Sequence, residues 1–209
     1  MLEKIKKFKL PFTNKQIIYI FHIILIIIFF AILLKSYKHW NLDYWKAMKK
    51  YWEIAWYLLI YTIFSSLAFK LFKEFKIIQQ AFILRKWAWI AVFYFAFLHL
   101  FFYFLNSNFS INYFLSDIKF SPITYISGLI AFILLLILFI TSAKFLIKLL
   151  WAKKWKILHK ATHLVFILVI IHIIAIKYPK IEWWIILLFI VYLLWYAYLF
   201  YKTKQWKNL

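Results

Sequence analysis

The chain has 209 residues, 67% of them hydrophobic and 25% aromatic, which is more apolar surface than one soluble core of that size can bury, so a bilayer is its expected solvent. Its 27 Lys and Arg against 6 Asp and Glu do not mark a nucleic-acid binder, because the basic residues stand in clusters between long uncharged runs, as charged loops between membrane spans do. The lack of cysteine excludes a disulfide framework, a thiol nucleophile and an iron–sulfur cluster, and one Gly leaves no Gly-rich phosphate loop.

A helix needs about 20 residues to cross a hydrocarbon core about 30 Å thick. Six segments meet that length and predict an all-α bundle of six transmembrane helices, a single domain over residues 1–209. After the basic start Lys4 to Lys9, which imitates a secretory signal without a small-residue cleavage site, the first span covers Ile17 to Leu34 and is read as retained. The second covers Trp52 to Phe69. Between it and the third, Leu71 to Leu84 reads equally well as an amphipathic helix on the inner surface or as a solvated loop. The third covers Trp87 to Leu105, the fourth Ile123 to Thr141, the fifth Ile157 to Ile176 and the sixth Trp183 to Tyr201. Spans two and five are short between their charges, so Glu53, Lys70, Lys160 and Lys177 must snorkel toward the headgroups. Trp52, Trp87, Trp151, Trp155, Trp183 and Trp184 fall at the expected interfaces.

Basic residues fix the direction. The N-terminus, the second loop (Lys70, Lys73, Lys76, Arg85, Lys86), the fourth loop and the tail hold most of them, whereas the third loop has only Lys119 and the fifth only Lys177 and Lys180. The positive-inside rule then puts both termini in the cytoplasm, in a bacterial inner membrane.

Ionisable residues within spans are costly and therefore functional candidates. Here they are nearly all histidine: His22 in span one, His99 in span three, and His159, His163 and His172 in span five, with His39 a wet loop residue. The helix rise places His99 about 18 Å beyond Trp87 and His172 about 7 to 8 Å inside Lys177, both in the outer half of the core and at nearly one depth. His159, His163 and His22 belong to the inner half. Two imidazoles from facing helices are how a bundle holds a b-type haem, and with no C-x-x-C-H element covalent attachment is excluded. The same histidines suit zinc or copper, though the acidic co-ligands of transport sites are missing from the span interiors, and each can also simply hydrogen-bond a neighbour in the bundle.

Phe139-Ile140-Thr141-Ser142, then Ala152-Lys153-Lys154-Trp155-Lys156-Ile157-Leu158-His159, then Ile171-His172 follow one another in an order and spacing that resembles the F-T-S, W-x-x-L-H and I-H elements of a known family, and Leu84-Arg85-Lys86 with Leu98-His99 resembles the start and the L-H of its third helix. The family is MsrQ (YedZ), haem-binding membrane subunits of periplasmic methionine sulfoxide reductase systems, within the ferric-reductase-like transmembrane superfamily. The resemblance covers residues 80–180; elsewhere the match is hydrophobic helix alone, and Ala152 stands where the family has Gly.

The resemblance implies haem ligands at His99, His159 and His172, with His163 or His22 as contenders to partner His159, and one or two haems b. It implies electrons from a quinol or a cytoplasmic flavin reductase, passed to a periplasmic molybdopterin-containing methionine sulfoxide reductase, and it allows an FMN. On this reading the chain is an electron-relay subunit rather than a complete enzyme. A stand-alone ferric or metal reductase and a non-redox small membrane transporter are the alternatives. One difficulty is geometric: on a straight helix the 13 residues from His159 turn His172 about 140° away, so either the helix is bulged or the two haems lie on different sides of it.

Overall fold

The structure, a computed structural model, describes residues 10–38, 41–150, 152–177 and 183–205. Among these the chain is helical apart from turns and a two-residue ribbon. Helix α1 (Asn14–Ser36) is followed by β1 (Tyr37–Lys38) and β2 (Asn41–Leu42), an antiparallel pair, and then by α2 (Tyr44–Leu71), α3 (Lys76–Asn106), α4 (Ile111–Phe120), α5 (Pro122–Ile140), α6 (Lys144–Leu149), α7 (Ala152–Leu158), α8 (Ala161–Lys177) and α9 (Trp183–Gln205).

Helix starts are set by local chemistry. Thr13 and Gln16 form a reciprocal capping box on α1, the Thr13 hydroxyl accepting the Gln16 amide at 3.3 Å and the Gln16 carboxamide accepting the Thr13 amide at 2.8 Å. Asp43 caps α2 through the Lys46 amide at 2.9 Å, and Ser110 caps α4 through the Tyr113 amide at 3.2 Å. Pro122 opens α5, where its missing N–H costs nothing. At the far end of α3 the backbone turns through positive φ at Asn108 (51°) and Phe109 (55°), a conformation natural for Asn and strained for Phe; the Phe109 amide donates to the Phe104 carbonyl at 2.7 Å, which holds the turn.

Four helices, α1, α2, α3 and α5, are long and apolar enough to cross a membrane, and the apolar parts of α8 and α9 are shorter. The outward faces agree with lipid contact: Ile27 is 60% exposed and Leu34 75%, in a run of aliphatic and aromatic side chains that water would penalise heavily. The chain is a multi-pass membrane protein. Segment 71–84 is neither of the two structures expected from its sequence, because after a short turn Lys76 begins a helix that continues unbroken to Asn106. The buried Gln80 carboxamide anchors this early start: it accepts the Leu10 amide at 2.7 Å and donates to the Leu10 carbonyl at 3.3 Å, clamping the segment before α1.

Two buried clusters hold the helices together. One joins α1, α2 and α3 around Tyr51, whose ring stacks on Phe102 at 5.3 Å and on Phe29 at 5.9 Å. The other joins α2, α3, α5, α8 and α9 around Trp56, Leu138, Phe166 and Tyr192. In it the Trp56 and Phe166 rings stack at 5.7 Å and 10°, and Phe93 stacks on Phe139 at 4.2 Å.

Candidate functional site

Helices α2, α3, α5 and α8 enclose an apolar cavity of about 150 Å³ near the end of the bundle where α4 crosses. His99 of α3 and His172 of α8 both line it. Each ring is fixed from behind: His99 Nδ1 donates to the Met48 carbonyl at 3.1 Å and His172 Nδ1 to the Thr124 carbonyl at 2.7 Å. A carbonyl only accepts, so the proton of each neutral ring sits on Nδ1 and the Nε2 lone pair is left for a ligand, the arrangement in which metal-ligating imidazoles are ordinarily held. Gly128 makes the second tether possible. A Cβ at this position would lie 2.8 Å from His172 Cε1 and Nδ1, so only glycine lets the ring lie against α5 beneath the Thr124 carbonyl.

The mouth of this cavity is aromatic. Tyr103 and Tyr125 line it with Phe114 of α4, and the Tyr103 hydroxyl donates to Asp117 of α4 at 2.6 Å, tying the crossing helix over the opening. Gly128, Thr124, Met48 and the Tyr103–Asp117 pair carry no signal that a reading for ionisable residues within spans detects. Two of them act through backbone carbonyls, and α4 lies in what reads as a polar loop.

At the opposite end a wider cavity of about 900 Å³ opens between α2, α3 and α8. His159 and His163 line it, together with Lys70, Arg85, Lys86 and Lys160. His159 does not lie in a straight fifth span. The helix breaks after Leu158 and resumes at Ala161, with His159 and Lys160 in the turn, which resolves the 140° difficulty: only His172 lies in α8, and no straight helix joins the two histidines. The turn is held by the Thr162 hydroxyl, donating to the His159 carbonyl at 2.7 Å, and by Trp155, whose indole N–H reaches back to the Thr141 carbonyl at 3.0 Å and whose ring packs on His159 at 4.2 Å. This accounts for the spacing of the Thr141-Ser142 and Trp155…His159 elements.

The inner histidines are not assembled as a pair. His159 Nε2 is buried with no hydrogen-bond partner among the described residues, an orphaned atom of the kind a ligand satisfies. His163 Nδ1 is paired with the Tyr192 hydroxyl at 2.9 Å. His22 lines neither cavity; its Nδ1 donates to the Ile18 carbonyl at 2.7 Å, within its own helix, and its ring meets Trp87 edge-on at 4.8 Å. His39 lies outside the described residues. Among the described residues no group of three or more His, Cys, Asp or Glu is placed to hold a metal ion by itself.

The narrower cavity thus offers two imidazoles with Nε2 uncommitted, the donor type that would hold a haem iron, while the wider cavity offers the unpartnered Nε2 of His159. Comparison with curated proteins gives no match, and comparison with solved structures gives none either. The family model for the ferric reductase like transmembrane component matches residues 54–170, from α2 into α8, a stretch that includes His99, His159 and His163 and stops just short of His172. Matched over more than half its length and lining its cavities from the same helices, the chain belongs to the ferric-reductase-like transmembrane family.

Proposed function

We propose that this membrane electron-transfer protein is a b-type haem relay of the MsrQ kind, which takes electrons from a quinol or a cytoplasmic flavin reductase and delivers them to a periplasmic molybdopterin-containing methionine sulfoxide reductase. The family supports the coarser half of that statement, a membrane electron-transfer role. The observation that supports the haem is the pair His99 and His172, on different helices, lining one apolar cavity with both Nδ1 atoms committed to backbone carbonyls; the donor and the periplasmic partner rest on the sequence resemblance.

A haem bound there supplies a one-electron couple buried in low dielectric. The residues do the rest. Met48 and Thr124 fix both imidazole tautomers, Gly128 admits the His172 ring, and the aliphatic and aromatic wall excludes water. His159 is the proposed ligand of an inner haem, and no step is assigned to that haem, because its second imidazole is not in place. FMN is proposed only as a cofactor of the donor side. In the proposed topology all six apolar helices span a bacterial inner membrane as one domain, with both termini cytoplasmic.

Purification from cells with ample haem supply tests this reading. The expected product is red, with a Soret band that shifts on dithionite and recovers when a periplasmic methionine sulfoxide reductase and methionine sulfoxide are added together. A colourless preparation would end the relay proposal. A haem protein that reoxidises equally fast with a ferric chelate and no partner would replace it with the stand-alone ferric reductase.

A further inference from the structure

The inner cavity concentrates positive charge in a way that span topology does not require. Lys70 at the end of α2, Arg85 and Lys86 in α3, and Lys160 in the turn before α8 all line it, and no Asp or Glu does so among the described residues. The positive-inside rule explains why such residues occur in these loops, but it is satisfied by side chains dispersed in water. Here they converge on one cavity. Arg85 is half-buried, its guanidinium 5.3 Å from the Phe82 ring centre, and the exposed Lys86 places its ammonium 5.6 Å from that of Trp87, so both cations rest against aromatic rings and Arg85 is partly withdrawn from water. Several like charges drawn together at the edge of a hydrocarbon layer need a counter-charge, and none is built into the wall.

The hydroxyls in the same wall are already committed. Thr62 donates to Leu59 O at 2.8 Å, Ser66 to Thr62 O at 2.9 Å, Ser142 to Leu138 O at 2.7 Å and Thr162 to His159 O at 2.7 Å. The cations, with the unpartnered indole N–H of Trp89, are therefore the donors left to hold an anion. The rest of the wall is mainly apolar, with Ile63, Leu67, Ile83 and Ile147, alongside the rings of Trp89, Trp155, His159 and His163. A cationic rim above an apolar floor, in a cavity of about 900 Å³ between helices, suits a ligand with a compact anionic head and a hydrocarbon tail, as basic pockets between membrane helices do for phospholipids.

We infer that this cavity binds a phosphate-bearing amphiphile, an anionic phospholipid whose headgroup is held by Lys70, Arg85, Lys86 and Lys160 and whose acyl chains lie on the apolar floor. This is independent of a haem at His99 and His172 but exclusive of one at His159, which lines the same cavity, so a second haem bound through His159 in lipid-loaded protein overturns it.

The test uses the full chain in mild detergent, with phosphatidylglycerol, phosphatidylcholine and inorganic phosphate as probes, read by native mass spectrometry and by thermal unfolding. Phosphatidylglycerol is expected to stay bound and to raise the unfolding temperature, while phosphatidylcholine at equal concentration does neither. Arg85→Gln with Lys86→Gln should weaken phosphatidylglycerol binding about tenfold or more, and Lys119→Gln, which removes a charge on α4 away from the cavity, should leave it unchanged. Should the double variant fail to fold, Lys70→Gln with Lys160→Gln, both at exposed positions, makes the same test. Equal binding of the two lipids, or phosphatidylglycerol binding unaffected in a folded double variant, overturns the inference. Displacement of phosphatidylglycerol by millimolar inorganic phosphate overturns the lipid assignment in favour of a soluble phosphate compound.

Discussion

Gly128 is the one glycine of the chain, and it sits where a side chain would collide with the ring of His172. Gly128→Ala puts a methyl group 2.8 Å from two ring atoms, so the imidazole must leave the Thr124 carbonyl or α5 must move away from α8. The expected cost is about 1–3 kcal/mol, as for overpacking elsewhere. Its signature should be a lowered unfolding temperature together with a perturbed or lost outer haem; a Gly128→Ala protein with unchanged stability and haem spectrum would remove glycine from the account of the site. Tyr192→Phe makes the contrast at the other end. It deletes the partner of His163 and should leave the outer haem spectrum untouched, because Tyr192 does not line that cavity.

At the level of elements, α4 is the piece that hydropathy did not announce. Asp117, Lys119 and the serines around them read as a polar loop, yet Ser110 caps a ten-residue helix whose Asp117 receives the Tyr103 hydroxyl and whose Phe114 closes the outer cavity. Tyr103→Phe deletes a hydrogen bond to a carboxylate worth about 1.5–3 kcal/mol. Amide hydrogen exchange should then quicken in 111–120 and not in α5; unchanged protection of α4 would show that its apolar contacts alone hold it. The break at His159 and Lys160 was signalled only by the 140° offset between His159 and His172, since no Gly or Pro marks its position. What holds the break is one bond between elements, Trp155 to the Thr141 carbonyl, and one local bond, Thr162 to the His159 carbonyl three residues back. By contrast, counting residues at a fixed rise set His99 and His172 opposite one another, and the two line one cavity. Their tautomers were not legible in the sequence, since Met48 and Thr124 contribute only backbone oxygens, which no residue type betrays.

For the whole molecule, the long apolar runs of α1, α2, α3 and α5 made a multi-pass membrane protein readable from hydropathy alone, while the shorter α8 and α9 leave six spans a proposal. The absence of native cysteine gives a clean background for deciding it. In sealed cells an impermeant thiol reagent should label Asn108→Cys, in the turn between α3 and α4, and should not label Lys154→Cys in α7 until the membrane is opened. External labelling of Lys154→Cys would reverse the orientation, and with it the assignment of the wide basic cavity to the cytoplasmic side.

The outer histidine pair is the centre of the account, and low-temperature electron paramagnetic resonance of the oxidised protein, with haem quantified per chain, addresses it most directly. Wild-type protein should show a low-spin signal from two axial imidazoles. His99→Ala and His172→Ala should each insert normally yet lose that haem or turn it high-spin, while His39→Ala keeps the full signal. If His172→Ala retained the complete low-spin haem of the wild type, the pairing of His99 with His172 would be wrong, and the outer cavity would be only a packing gap between four helices.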